Sequence, residues 1–66
     1  PEAEAVETLE KAVKYRPSFL KAWLCLAMAY KKNQDGVKAE SAFQECLALD
    51  TNVSNQEFYK KHLQSL

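Results

Sequence analysis

The sequence predicts an all-α fold of about four helices, arranged as antiparallel helix–turn–helix units. Three observations carry that expectation. Ala, Leu, Glu, Lys and Gln, all good helix formers, fill much of the chain, against one Gly, two Pro and no Ile. Apolar residues recur at three- and four-residue spacing in successive segments. Those segments are separated by Pro17, by the turn cluster NQDG at 33–36, and by a helix-start signal at Ser54.

The first helix is expected from about residue 2 to 15, with Ala5, Val6, Leu9, Ala12 and Val13 at helical spacing. Glu2, Glu4 and Glu7 lie in its early turns and Lys11, Lys14 and Arg16 lie late, an order that complements the helix dipole. Pro17 ends it, because the residue before a proline is pushed away from helical angles. Ser18 is then the expected N-cap of a second helix running to about Lys32.

After the NQDG turn a third helix runs to about Leu49, with Ala39, Phe43, Cys46 and Leu47 on one face. The fourth carries a start signal of its own. Ser54-x-x-Glu57 reads as a capping box, Val53 is placed to staple against Phe58, and Tyr59, Leu63 and Leu66 form a short apolar stripe. With connections this brief, neighbouring helices should pack antiparallel.

A chain of 66 residues is one small domain, below the size at which a single core comfortably outweighs chain entropy. Its formal net charge of zero gives no support to an electrostatic nucleic-acid binder. No signal peptide or membrane-spanning segment is visible, and a start at Pro1 without Met is expected of a piece cut from a longer protein. Cys25 and Cys46 stand 21 residues apart with His62 as the only other soft ligand, which is not the spacing of a metal site. Both cysteines are expected to be small apolar side chains, with no cofactor. Catalysis is not expected: His62 is the single His, no Gly-rich phosphate loop exists, and neither Cys has a His at helical spacing. His62 itself reads as a surface or partly packed side chain.

The segment AWLCLAMAY, residues 22–30, is apolar at nine consecutive positions, whereas an ordinary surface helix is apolar on one stripe. On a helical wheel Leu20, Trp23, Leu26, Ala27 and Tyr30 gather on one side, with Ala22 and Ala29 beside it. A second stripe remains, made of Lys21, Leu24, Cys25, Met28 and Lys32, with Lys31 next to Leu24. One face is expected to pack on neighbouring helices and the other to face a groove.

Aligned with itself at an offset of 34, the chain keeps its apolar and small positions: Ala5 on Ala39, Leu9 on Phe43, Ala12 on Cys46, Val13 on Leu47, Tyr15 on Leu49. Pro17 falls on Thr51. That period is the length of a helical-hairpin repeat. With Trp23-x-x-Leu26-Ala27-x-x-Tyr30 followed by Ala39-x-x-x-Phe43, the sequence resembles the tetratricopeptide repeat (TPR) family over about residues 4 to 52. Three departures are visible: Cys46 where a small Ala is usual, Thr51 in place of the closing Pro, and the turn glycine arriving late, as Gly36.

The resemblance implies a TPR-like α-solenoid fragment of three parts. Residues 1–17 would be the second helix of a preceding repeat, 18–52 a full repeat, and 53–66 a capping helix that covers the open end of the stack. It also implies that Trp23 bridges helices. In the family, first helices of the repeats line a concave surface that grips a peptide or partner helix. Here Leu24, Cys25 and Met28 would form the floor and Lys21, Lys31 and Lys32 a basic rim, suited to a protein or peptide with hydrophobic and acidic residues. Against this stands a plainer reading, in which Leu24 and Met28 are covered by the fourth helix or a neighbouring chain.

Some relatives in the family hold a chaperone's acidic C-terminus with a clamp of Lys, Asn and Arg. Lys21 occupies a clamp slot, but Leu24, Cys25 and Met28 stand where its other polar groups would be, so the clamp is not supported. The function implied is a non-catalytic protein–protein interaction module of an intracellular, cytoplasmic scaffold. The alternative is a structural or self-associating fragment that packs within a larger assembly or a homo-oligomer.

Overall fold

The computed structural model describes residues 2–66, at Glu2 the backbone only; Pro1 and the Glu2 side chain, one of the acidic groups expected near the start of the first helix, lie outside the described residues. Four helices follow in order: α1 (Glu2–Tyr15), α2 (Leu20–Lys32), α3 (Gly36–Leu49) and α4 (Val53–Gln64). No strand is present among the described residues. The all-α expectation and the number of helices hold. So does the antiparallel arrangement: Ala3 and Val6 at the start of α1 line one groove with Tyr30 and Asn33 at the end of α2. Likewise Gly36, which begins α3, shares a cavity with Ser65 and Leu66 just beyond α4.

Two helix starts, those of α2 and α4, differ from the sequence expectation, each for a local reason, and the turn before α3 reverses at a residue other than its glycine. At α2 the N-cap position is Phe19 and not Ser18, and no side chain caps it. The chain turns tightly after α1, with the Phe19 amide donating to the Arg16 carbonyl at 3.0 Å, and this carries Ser18 into the loop. The indole Nε1 of Trp23 donates to the Pro17 carbonyl at 2.7 Å and ties the entry of α2 to the end of α1.

At α3, Asp35 is the N-cap, its Oδ1 accepting from the Lys38 amide at 3.2 Å. Gly36 is not the residue that lets the turn reverse. The left-handed conformation falls on Gln34 (φ 62°), while Gly36 is the first residue of the helix with open space where a Cβ would stand. The Gln34 and Asp35 amides close the turn onto the carbonyls of Lys31 and Tyr30. Those bonds go with a reversal two residues earlier than a turn centred on Gly36 would place it.

At α4 the capping box at Ser54 and Glu57 does not form. The helix begins at Val53, and its N-cap is Asn52, whose Oδ1 accepts from the Asn55 amide at 3.0 Å. Val53, expected to staple against Phe58, is 70% exposed. Asp50 explains the shift: its Oδ1 accepts from the Asn52 amide and its Oδ2 from Asn55 Nδ2, both at 3.0 Å. With Asn52 and Asn55 held in this way, the cap falls two residues before Ser54.

The core comprises Val13 of α1, Ala22, Leu26 and Ala27 of α2, Ala39, Ala42, Phe43 and Cys46 of α3, and Tyr59 of α4. Four of the nine are alanines, all on α2 and α3, and small side chains allow two helix backbones to approach closely. Ala42 joins Ala39, Phe43 and Cys46 on a buried face broader than the periodicity suggests. Trp23, Leu20 and Tyr30 pack around this cluster half-buried.

Among the described residues, close backbone packing is confined to sequence neighbours: α1 on α2, α2 on α3, α3 on α4. A closed bundle would also bring α1 against α4. The molecule measures 31 × 25 × 16 Å. Its accessible surface is 4709 Å², about a tenth above the roughly 4,250 Å² of a compact monomer of this mass. The helices form an open row.

Candidate interaction surface

Within that row α2 is flanked on both sides, by α1 and by α3. Ala22, Leu26 and Ala27 are buried there, which accounts for one half of its apolar circumference. The other half carries the stripe singled out from sequence. Lys21 and Cys25 are exposed, and Met28 is 40% exposed. Leu24 is half-buried and packs against the core, so it serves the fold as well as the face. Lys32 is exposed.

Lys31 is placed differently from the other lysines. Its Nζ lies 2.8 Å from His62 Nδ1 and donates to Ser65 Oγ at 2.7 Å. The rim residue at the end of α2 is therefore tied to the end of α4, across the row. His62 is held flat against the buried Phe43 ring (centroids 5.4 Å apart, planes at 10°), and Phe58 covers it from the side at 4.5 Å. Burial first, then the charges of Lys31 and Lys61, push the imidazole below its usual 6.5. A neutral ring presents Nδ1 as an acceptor for Lys31 and keeps its proton on Nε2.

Two tyrosines fix the framework around this face. The Tyr30 hydroxyl donates to Glu10 of α1, while Lys38 of α3 lies over the Tyr30 ring at 5.7 Å. Burial, followed by the Glu10 carboxylate, raises the Tyr30 phenol to about 12, so it remains a donor throughout the neutral range. The buried Tyr59 donates to Asp50, and its phenol is likewise pushed up, by burial and then by that carboxylate. These partners were not legible in sequence, because Glu10 and Tyr30, or Lys31 and His62, carry no local signature linking them.

The two cysteines divide. Cys46 is fully buried and behaves as the small apolar side chain expected, its thiol pushed up to about 11 chiefly by burial. Cys25 is exposed, as its place on the second stripe of α2, turned away from the core, leads one to expect. Among the described residues, no group of three or more His, Cys, Asp or Glu is placed to hold a metal ion, and no helix is long and apolar enough to cross a membrane.

The fold and this face define a class: an all-α protein of consecutively packed antiparallel helices whose central helix exposes a mixed apolar and basic stripe. Over 48 residues, 73% of the chain, the sequence is 40% identical to the peroxisomal targeting signal receptor of Saccharomyces cerevisiae. The match spans 8% of that receptor's length. No protein-family model and no solved structure matches the chain.

Proposed function

We propose that the chain is a segment of a TPR-like helical repeat scaffold and works as a non-catalytic protein-interaction module in an intracellular, cytoplasmic protein. Residues 1–17 act as the second helix of a preceding repeat, 18–52 as a full repeat and 53–66 as a cap. The observation that carries the reading is the exposure of Cys25 and Met28 on a helix whose opposite side buries Ala22, Leu26 and Ala27. Isolated apolar residues on a surface need no explanation, but a stripe rimmed by lysines on the middle helix of an open row fits a docking face. The likeness to a receptor for a targeting signal supports a peptide or protein partner. The partner has hydrophobic anchors that enter between Leu24, Cys25 and Met28, and acidic residues that meet Lys21, Lys31 and Lys32.

The test is binding of fluorescent peptides with paired hydrophobic and acidic residues, read by anisotropy. Met28→Glu and Cys25→Glu place charge on exposed positions and should abolish binding while leaving the circular dichroism spectrum unchanged. Leu24 is a poorer probe, since charge there also reaches the core. Unaltered affinity in both variants would remove the groove.

A second reading, self-association, is favoured by Val53 and Phe58, which stand 70% and 45% exposed on α4. Sedimentation across a concentration series separates the two. If Phe58→Glu abolishes a concentration-dependent dimer and Met28→Glu does not, the outer face of α4 is the interface.

A further inference from the structure

The Lys31 ammonium belongs to two surfaces at once. It follows Met28 by three residues along α2, on the rim of the proposed groove, yet it is bonded away from that rim to His62 Nδ1 and Ser65 Oγ. We infer that His62 is a proton-operated latch on Lys31, holding its ammonium at the end of α4 while the ring is neutral and releasing it toward the α2 face when the ring is protonated. This regulation rests on the proposed groove, but the latch itself is a property of the fold.

The argument is one of donors and acceptors. An ammonium has three protons and no lone pair, so it bonds to an imidazole nitrogen only when that nitrogen is unprotonated. Protonation turns Nδ1 into a donor facing a donor and sets two positive charges at contact distance. The groups facing the ring are Lys31 from α2, Lys61 and Phe58 from α4, and Phe43 from α3; the charges acting on it are both positive. The bond must therefore open. The ring is clamped between Phe43 and Phe58, so the Lys31 side chain, on its flexible stem, is the partner that moves. Ser65 Oγ, which also donates to the His62 carbonyl at 3.0 Å, is a neutral acceptor and cannot hold the ammonium against that repulsion alone. Below the titration of His62 the groove gains a cation beside Met28.

Nuclear magnetic resonance of the whole chain between pH 7.5 and 4.5 tests this without any ligand. The Lys31 ε-methylene and the Ser65 amide should titrate together with the His62 ring, at a midpoint below 6.5. In Lys31→Met, which keeps the stem and removes the charge, the His62 midpoint should rise. His62→Gln supplies an acceptor that does not titrate, and Lys31 should then be insensitive to pH over this range. A Lys31 resonance that ignores the wild-type His62 titration overturns the latch.

A binding arm separates the latch from the groove. A synthetic peptide of alternating Leu and Glu should bind about two- to fivefold more tightly at pH 5.5 than at 7.5, the scale of one exposed ion pair, and Lys31→Met should erase the difference. Absence of binding at both pH values, with the coupled titration intact, rejects the groove and supports the latch as a device of the fold. Binding that is equal at both pH values rejects the gating of the groove.

Discussion

The Tyr59 hydroxyl donates to Asp50 Oδ2 at 2.7 Å and joins the middle of α4 to the residue that ends α3. Asp50 also accepts from the Asn52 amide and from Asn55 Nδ2, and its carbonyl accepts from Gln56 Nε2. One residue thus organises the whole corner. It caps α3, sets the start of α4 and receives the α4 side chain that reaches the core.

These bonds, led by the one from Tyr59, hold the Asp50 carboxyl below its usual 3.8. A carboxylate whose folded value is depressed contributes stability that is complete above about pH 3.8 and is lost as the pH falls through the folded value. Tyr59→Phe should therefore lower stability at pH 7 by more than at pH 2.5, as measured by urea unfolding at the two pH values. Tyr59→Ala, which also empties a buried ring site, should cost about 3–5 kcal/mol at pH 7 and keep most of that cost at pH 2.5, where only the hydroxyl's share is lost. An equal penalty for Tyr59→Phe at both pH values would show that the hydroxyl contributes nothing through Asp50.

Trp23 combines a ring packed on the core with a hydrogen bond to the Pro17 carbonyl. Replacing it by Ala should cost about 3 kcal/mol, the lower end for a large aromatic because this one is only half-buried. A domain of this length has little more than that to lose. Trp23→Phe retains most of the packing and loses the bond, so its penalty should be about 1 kcal/mol. Thermal melts followed by circular dichroism give the order. Equal losses in the two variants would place the whole contribution in the hydrogen bond.

The cysteines should differ sharply toward a thiol reagent. Cys25 is exposed, whereas Cys46 is both fully buried and held in its thiol form by a value near 11. At pH 8 one equivalent of an aromatic disulfide reagent should react promptly, and the second only on addition of denaturant. Peptide mapping should place the first on Cys25. Rapid reaction of both thiols in the native protein would mean that the α3–α4 layer opens far more readily than its packing indicates.

Gln34 holds a left-handed conformation, φ 62°, that costs a side chain bearing a Cβ about 1 kcal/mol relative to glycine. Gln34→Gly should raise the thermal midpoint by several degrees, since 1 kcal/mol moves a domain of this size by about 4–8 °C. Gly36→Ala should also be tolerated, as nothing lies within 4 Å of the added methyl. It replaces a poor helix former in the first turn of α3 by a good one. A fall in the midpoint for Gln34→Gly would mean that the Gln side chain contributes more than its backbone costs.

The sequence by itself determined the helices. Their number, their approximate bounds and most of their buried faces follow from periodicity and breakers, because both are properties of residues three or four positions apart. Helical spacing alone puts Phe43, Cys46, Ala27 and Leu26 inside, and it leaves Lys21, Cys25 and Met28 together on the face that remains exposed. Tertiary structure decided everything that depends on which residue reaches a partner first. Asn52 and not Ser54 caps α4 because Asp50 holds Asn52 and Asn55 in place, and Gln34 and not Gly36 bears the reversal because the turn closes on Tyr30 and Lys31. The bond from Lys31 to His62 joins residues 31 positions apart, and only the packing of α3 between α2 and α4 brings them within reach. Local spacing has no term for such a meeting, since hydrogen bonds between distant side chains are selected by distance in space and not by separation along the chain.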